Sequence, residues 1–339
     1  MTVRWGFLGA GFIAGRALAP AVHAAEGAVL QAVAARDNDR ARALDPVGST
    51  YANYQAVIDD PNVDVVYVAL PNDDHLPWTL QALTAGKHVL CEKPFGLDAG
   101  QVKQIATAAK ESDRIAVEAT WYRWHPRTIR SQQLVSAGAI GDPATMSTAF
   151  CFGNVPDQNY RLEPSRGGGA WYDVGCYGVS AAHLLLGAEL EVMNASRRLG
   201  PTGVDLETRA LLRTPAGATV DVVASIDAPE HQDLTVHGRH GALTWSAPQL
   251  TSWREPATLT ITRPDADPVV EQFAPVDAYR LMVEQVGRCV NGDEQPVVSL
   301  TESLRVATTM DAVTAVTAVT AVTAATAAAA AATAVTGRT

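Results

Sequence analysis

The first fourteen residues place the strongest constraint on the fold of this chain. Val3–Leu8 is a short apolar run that predicts a β-strand, and the glycine turn Gly9-Ala10-Gly11-Phe12-Ile13-Ala14 follows it directly, leading into a helical pattern. Gly9 permits a tight turn, Gly11 lets the backbone approach a ligand, and the small Ala14 lets the helix pack on the strand. The free amides at the start of such a helix favour phosphates. The stretch therefore predicts a dinucleotide site.

Strand and helix patterns alternate as far as residue 120. The predicted strands are Val3–Leu8, Val29–Ala35, Val63–Leu70, Lys87–Cys91 and Ile115–Ala119. The third of them is apolar on both faces, which is typical of a central parallel strand. The alternation predicts a doubly wound, Rossmann-type parallel sheet, which we assign to residues 1–121.

The residues after the second strand bear on the choice of cofactor. NAD sites usually place an acidic residue at the end of this strand, where it binds the ribose 2′-hydroxyl. Here Ala35 stands at that position and Arg36 follows. A guanidinium suits a 2′-phosphate, so the sequence favours NADP. NAD stays open as the alternative, because Asp37 would bind a ribose hydroxyl if it turned inward.

A charged turn, Cys91-Glu92-Lys93-Pro94, ends the fourth predicted strand. Ligands of open α/β sheets bind at this carboxyl edge, and Pro94 forces the chain to turn there. Leu70, Asn72 and His75 follow the neighbouring strand at the same edge. We therefore predict that they contact the cofactor; the alternatives are a solvated ion pair at Lys93 and a helix-start role for His75.

Two further groups of side chains are candidates for the chemistry. The aromatic and basic stretch from Thr120 to Pro126 is either a sugar platform or a packed hinge. Downstream, Gly167-Gly168-Gly169 precedes a helix that carries Asp173 and Tyr177. Residues four apart share one helical face, so this acid and phenol form a candidate acid/base pair. The alternative is a packed tyrosine bonded to an aspartate near the helix start.

The second half of the chain has a different pattern. From residue 190 to 273, short strand-like segments are separated by turns, which predicts a large, mostly antiparallel open sheet. With the helices around it, this sheet makes residues 122–312 an α+β domain. Residues 313–339 form a low-complexity Ala/Thr/Val tail, for which we expect a weakly packed helical extension rather than a membrane span.

Composition limits the partners. The net charge is −10, which argues against nucleic acid and anionic membranes. The four cysteines are scattered, so neither a metal site nor a disulfide framework is expected. A strand that begins at Val3 leaves no room for a signal peptide, and we expect a cytoplasmic protein.

Together these residues resemble the glucose-fructose oxidoreductase/inositol dehydrogenase (GFO/IDH/MocA) family over nearly the whole chain. The glycine turn, Glu92-Lys93-Pro94, and Gly167–Gly169 with Asp173 and Tyr177 carry the resemblance. The tyrosine at position 177 makes the chain similar to one subgroup of this family, which contains NADP-dependent aldose (xylose-type) dehydrogenases and dimeric dihydrodiol dehydrogenase. The resemblance implies a homodimer formed through the second domain's sheet.

The resemblance implies that Lys93 and Tyr177 are catalytic, that Asp173 supports them, and that Trp121 lies near nicotinamide and substrate. The predicted cofactor contacts are Gly9, Gly11, Phe12, Ile13, Arg36, Leu70, Asn72, His75, Glu92, Lys93 and Trp121. The predicted substrate contacts are Lys93, Trp121, Arg123, Tyr160, Asp173 and Tyr177. We expect the Lys93 ammonium and the helix start to lower the pKa of Tyr177.

The expected reaction is hydride transfer between nicotinamide and a sugar carbinol or carbonyl, most simply by an aldose 1-dehydrogenase. Three alternatives stay open: a biosynthetic sugar ketoreductase, an NAD-dependent glycoside hydrolase and a non-enzymatic NADP sensor. Arg36 argues against the hydrolase. Lys93, Asp173 and Tyr177 together argue against a sensor, which needs only the first domain.

Overall fold

A computed structural model describes residues 1–251 and 253–317. The first domain contains the predicted parallel sheet, with six strands in the order β3-β2-β1-β4-β5-β6. These strands are β1 Val3–Leu8, β2 Ala28–Ala34, β3 Ser49–Tyr51, β4 Val65–Val68, β5 His88–Cys91 and β6 Ala116–Glu118. The prediction of a doubly wound domain is confirmed. Only the three-residue edge strand β3 was not predicted, because its Ser-Thr-Tyr sequence is too short to form a pattern.

Both faces of the parallel sheet are covered. The helices after its strands are α1 Ala19–Ala24, α2 Asn38–Arg42, α3 Tyr54–Asp59, α4 His75–Thr84 and α5 Ala99–Ser112. Val65 and Tyr67 of β4 belong to one buried cluster, whereas Val66 and Val68 belong to another. Side chains alternate between the faces of a strand, so this strand is buried on both sides, as its composition predicted.

The second domain is built on an eight-stranded sheet in the order β14-β13-β12-β11-β7-β10-β9-β8. Its strands are β7 Pro143–Cys151, β8 Glu191–Leu199, β9 Asp205–Arg213, β10 Thr219–Ser225, β11 His231–Gly238, β12 Gly241–Trp245, β13 Ala257–Arg263 and β14 Ala266–Phe273. Neighbouring strands of this sheet are antiparallel, except for the parallel pair β7 and β10. The prediction of a mostly antiparallel open sheet is confirmed.

Helices pack on one face of this sheet. They are α6 Pro126–Ser136 and α7 Cys176–Leu186, whereas α8 Ala278–Val290 packs against α1 and the Trp121–Trp124 turn. A Cβ built on Gly178 of α7 would lie 2.9 Å from Thr148 and Val222, so the helix sits directly on β7 and β10. The strands carry exposed apolar side chains elsewhere: Met193, Leu199, Leu211, Val269 and Val270.

The last described helix, α9, spans residues 300–317 and returns to the first domain. Ser303 donates a hydrogen bond to Glu118 at 2.7 Å, and Asp311 accepts one from the Ala99 amide at 2.9 Å. Val313 is fully buried, so the first part of the predicted tail is packed. The rest of that prediction, from residue 318, lies outside the described residues. In residues 1–251 and 253–317 no helix is both long and apolar enough to cross a bilayer.

Candidate active site

A cleft of about 870 Å³ opens at the carboxyl edge of the parallel sheet and reaches into the second domain. Most of the predicted site residues line it. Those residues are Gly9, Gly11, Phe12, Ile13, Arg36, Leu70, Asn72, Glu92, Lys93, Tyr160 and Tyr177. The fold therefore brings together side chains that are separated by as much as 168 positions in the chain.

The glycine turn has the geometry that a pyrophosphate requires. Gly9 has φ +100°, and a Cβ there would lie 2.5 Å from the Ala69 carbonyl oxygen, so only glycine fits. A Cβ on Gly11 would meet nothing within 4 Å, which leaves the backbone open toward the cleft. Residues 12–24 form one helical stretch, widened by a π-type turn at Ala14–Leu18. The residues present fit a dinucleotide phosphate group.

The far end of the cleft is positively charged. Arg36, Asp37, Arg40 and Tyr54 line it. Asp37 caps α2, where its carboxylate accepts hydrogen bonds from the amides of Asp39 and Arg40. With that carboxylate engaged, Arg36 is left as the charged strand-end group of the cleft. Sequence reasoning missed Arg40, which lies in the first turn of α2, just after the Asp37 cap.

Lys93 lies at the opposite end of the cleft, where it is bound to Asp173. Its Nζ donates to the Asp173 carbonyl oxygen at 2.7 Å and to Oδ1 at 3.2 Å. Arg161 Nε donates to Oδ2 of the same carboxylate at 2.6 Å. Burial opposes the charge on each group, but the ion pairs outweigh it: the pKa of Lys93 is raised and that of Asp173 is lowered. Both groups stay charged across the neutral pH range.

Tyr177 lies beside this ion pair. The Lys93 ammonium is 5.3 Å from the centre of its ring, and Trp121 Nε1 donates to its hydroxyl at 3.2 Å. Burial raises the pKa of Tyr177 far above its usual value, and the nearby Lys93 only partly offsets this effect. The prediction of a lowered pKa is therefore wrong for this structure, because loss of hydration outweighs one neighbouring cation. The phenol is neutral at physiological pH.

Glu92, the neighbour of Lys93, lines the cleft and is held from behind. Tyr67 on β4 donates a hydrogen bond to its carboxylate at 2.7 Å. Burial raises the pKa of Glu92. Across the cleft, Asn72 Nδ2 donates to the Gly167 carbonyl oxygen at 2.8 Å. Glu92 and Asn72, which are both predicted to contact the cofactor, thus also connect the strands and loops that form the cleft.

Four predicted contacts lie behind the cleft instead of lining it. His75 is fully buried, with its ring nitrogens 2.7 and 2.9 Å from the carbonyl oxygens of Pro94 and Leu70. Arg123 is buried in an ion pair with Glu302 at 2.8 Å. Trp121 contacts the cleft residues Tyr177 and Tyr279. Asp173 contacts the cleft residues Lys93 and Arg161. In each case the polar group is already hydrogen-bonded or ion-paired to another part of the protein. Local sequence does not reveal that partner.

Three cleft residues of the second domain were also missed by sequence reasoning. Asn159 and Arg161 flank the predicted Tyr160, and that position in a loop was the only available signal. Tyr279 comes from α8, about 100 residues after Tyr177, and stacks on Trp121 with ring centres 4.8 Å apart. No local pattern around Tyr279 points to the cleft, because the tertiary fold alone brings α8 there.

Comparisons with known proteins agree with this architecture. A model of the GFO/IDH/MocA oxidoreductase family, NAD-binding Rossmann fold, matches residues 3–120, and the family's C-terminal domain matches residues 128–244. The chain is 36% identical over 314 residues to D-xylose 1-dehydrogenase (NADP(+)) 2 of Haloferax volcanii, covering 91% of this chain and 95% of that protein. It is 30% identical to mouse trans-1,2-dihydrobenzene-1,2-diol dehydrogenase, with coverage of 92% and 96%.

Solved structures are similar as well. KijD10, a 3-ketoreductase from Actinomadura kijaniata crystallised with NADP and TDP-benzene, superposes with a TM-score of 0.87 at 30% identity. The match covers 94% of this chain and 98% of that one. The resemblance predicted from the glycine turn, the Lys93 turn and Tyr177 is thus confirmed: the chain belongs to the GFO/IDH/MocA family of oxidoreductases.

Proposed function

We propose that this protein is an NADP-dependent sugar oxidoreductase, most simply an aldose 1-dehydrogenase. The observation that carries the proposal is the Lys93–Asp173 pair beside Tyr177, at the end of a cleft whose other end holds the glycine turn and Arg36. Its relatives include an NADP-dependent xylose dehydrogenase and a ketoreductase that binds NADP.

The cofactor would be held along the cleft. The free backbone at Gly11 and the start of the following helix suit the pyrophosphate, and Arg36 with Arg40 suits a 2′-phosphate. In this direction the nicotinamide would lie toward Lys93 and Tyr177. When bound, NADP supplies the hydride acceptor, or NADPH the hydride donor, for a sugar carbon.

Tyr177 would exchange the proton with the sugar oxygen. A neutral phenol donates a proton to a forming alkoxide and becomes a phenolate, and in the reverse direction the phenolate accepts the proton of a sugar hydroxyl. Lys93 favours the negative charge that remains on Tyr177 after it has donated its proton, which is the form that accepts a proton in the reverse direction. Asp173 is a positioning residue, because it contacts Lys93 and Arg161 rather than the cleft.

A screen of substrates tests the proposal. We expect the protein to reduce NADP in the presence of one or more free aldoses. The absorbance of NADPH measures this reduction. The screen should also contain inositols, glycosides and nucleotide-linked sugars, and it should include NADPH oxidation with keto sugars. Release of a free sugar from glycosides without net NADPH formation would instead support a glycoside hydrolase.

A sugar ketoreductase is the second candidate, and Tyr177 gives a specific reason for it. Because burial raises the pKa of this phenol, the group is held in its proton-donating form. The relatives include dTDP-3,4-didehydro-2,6-dideoxy-alpha-D-glucose 3-reductases. At the catalytic end, however, Lys93 and Arg161 both bind Asp173, and these engaged cations favour an uncharged sugar over a nucleotide-linked one.

Arg36→Ala should weaken NADP binding by about tenfold or more and leave NAD binding about unchanged, because a charged hydrogen bond to the 2′-phosphate is lost. Titration of each dinucleotide against intrinsic fluorescence measures both affinities. Arg42→Ala is the matched control, since Arg42 lies six residues after Arg36 on α2, pairs with Asp39 and does not line the cleft. An equal loss of NAD and NADP affinity in Arg36→Ala would contradict the assignment.

We also propose a homodimer formed through the eight-stranded sheet. The exposed Met193, Leu211, Val269 and Val270 support it, because apolar side chains on an open sheet favour burial against a second copy. Light scattering at micromolar concentration should give a dimer mass, and Leu211→Glu with Val270→Glu should lower that mass. A monomer for the unmodified protein is the contrary result.

A cytoplasmic location completes the proposal. All four cysteines are free and buried in the structure, which agrees with a reducing compartment.

A further inference from the structure

One segment of the second domain crosses the cleft to reach the first domain. We call residues 153–169, between β7 and the helical stretch at Trp171, the strap. It contains two short 3₁₀ turns, Tyr160–Leu162 and Pro164–Arg166. Its Asn159, Tyr160 and Arg161 line the cleft. The strap therefore forms part of the wall around any bound dinucleotide.

Three contacts hold the end of the strap on the first domain. Arg166 Nε lies 3.0 Å from Asp73 Oδ1, and its Nη2 lies 2.8 Å from Asp74 Oδ2. Next to this pair, the Gly167 carbonyl oxygen accepts a hydrogen bond from Asn72 at 2.8 Å. One guanidinium thus joins two carboxylates of the other domain at the edge where the cofactor site lies.

The approach of the two domains at this point is close. Gly167 has φ +69°, and a Cβ there would lie 2.3 Å from Leu97 Cδ2 and 3.0 Å from Asn72 Cβ. Any larger residue would push the strap away from the first domain. The middle of the strap is held differently, through the ion pair of Arg161 with Asp173 within the second domain.

The strap contacts are open to solvent. The side chains of Arg166, Asp73 and Asp74 are 30%, 32% and 35% exposed. Ion pairs of this kind are individually weak and are screened by salt. They can therefore open on a functional timescale, whereas the buried Lys93–Asp173 pair stays closed.

We propose that Arg166, Asp73 and Asp74 form an interdomain latch that sets the rate at which the dinucleotide leaves the cleft. This inference rests on the proposed function, in that it takes a nicotinamide dinucleotide as the occupant. With the latch closed, the strap encloses the cofactor between the glycine turn and Lys93. With the latch open, the strap moves off the first domain and the dinucleotide is released.

The test is the release rate of NADPH and NADH, measured by stopped-flow fluorescence of the full chain after mixing with excess oxidised dinucleotide. Arg166→Gln should accelerate release of both by about 2- to 30-fold, the range for two exposed ion pairs. Asp73→Asn with Asp74→Asn should give a similar increase, and adding Arg166→Gln to it should add little. Gly167→Ala should also accelerate release.

Arg288→Gln is the matched control, because it removes an exposed ion pair with Glu294 that is remote from the strap in sequence; its release rates should equal those of the unmodified protein. Unchanged release in the Arg166 and Asp73/Asp74 variants would overturn the latch while leaving the proposed function intact. An increase confined to NADPH would also overturn it, because it would indicate a charge effect at Arg36. Failure of the unmodified protein to bind either dinucleotide would overturn the proposed function itself.

Discussion

Tyr177→Phe is expected to lower turnover by about 10²–10⁴-fold, the range for loss of a general acid or base. The substitution removes only the hydroxyl that receives a hydrogen bond from Trp121 and lies beside Lys93. The ring still packs against Tyr122 and Phe150, so folding and NADP affinity should be retained. Steady-state kinetics with saturating cofactor and sugar, together with a cofactor titration, measure both quantities.

Tyr54→Phe is the control for this result. Tyr54 also lines the cleft, but at the end near Arg36, so the loss of its hydroxyl should leave turnover nearly unchanged. Near-normal turnover of Tyr177→Phe would mean that Tyr177 is a packed tyrosine without a role in proton transfer. Another group of the cleft, with Glu92 as the nearest carboxyl candidate, would then have to carry the proton.

Lys93→Met should also lower turnover strongly and should change its pH dependence. Lys93 lowers the pKa of Tyr177 against the larger effect of burial, so its removal raises that pKa further. Deprotonation of the phenol then needs a higher pH, and the pH profile of sugar oxidation should move to higher pH. Reduction, which uses the protonated phenol, should keep its activity at neutral pH better than oxidation does.

The protein should tolerate this change. Asp173 keeps its bond to Arg161 at 2.6 Å, so no unpaired charge is left in the core. Lys103→Met, on the exposed face of α5, is the control and should behave as the unmodified protein. The double variant Lys93→Met/Tyr177→Phe should be little worse than the worse single variant, because both residues act in one step. A pH profile that keeps its position in Lys93→Met would contradict the coupling.

The first domain could be predicted in detail because its signals are local. An apolar strand, a turn that only glycine can adopt at Gly9, and the helix that follows are all encoded within the first 24 residues. Lys93 was found for a similar reason, since a charged group between an apolar strand and a proline has few structural explanations. The family resemblance then linked Lys93 to Asp173 and Tyr177, and the structure brings all three together.

The remaining features depend on distant parts of the chain. Tyr279 lies in the site because it stacks on the distant Trp121, and Arg123 lies outside it because it pairs with the distant Glu302. The pKa of Tyr177 is the clearest case. The neighbouring Lys93 could be inferred from the family pattern. The direction in which the pKa of Tyr177 shifts, however, depends on how much water the surrounding helices exclude.

The sequence by itself determined the parallel sheet, the dinucleotide turn, the position of Arg36 and the identity of the candidate catalytic groups. Each of these follows from short-range patterns or from a family pattern of specific residues. Only the tertiary structure decided which polar groups face the cleft, how far burial outweighs charge at Tyr177, and that Arg166 crosses to Asp73 and Asp74. Hydration and ion pairing depend on the distances between groups in the folded state, and no local pattern carries those distances.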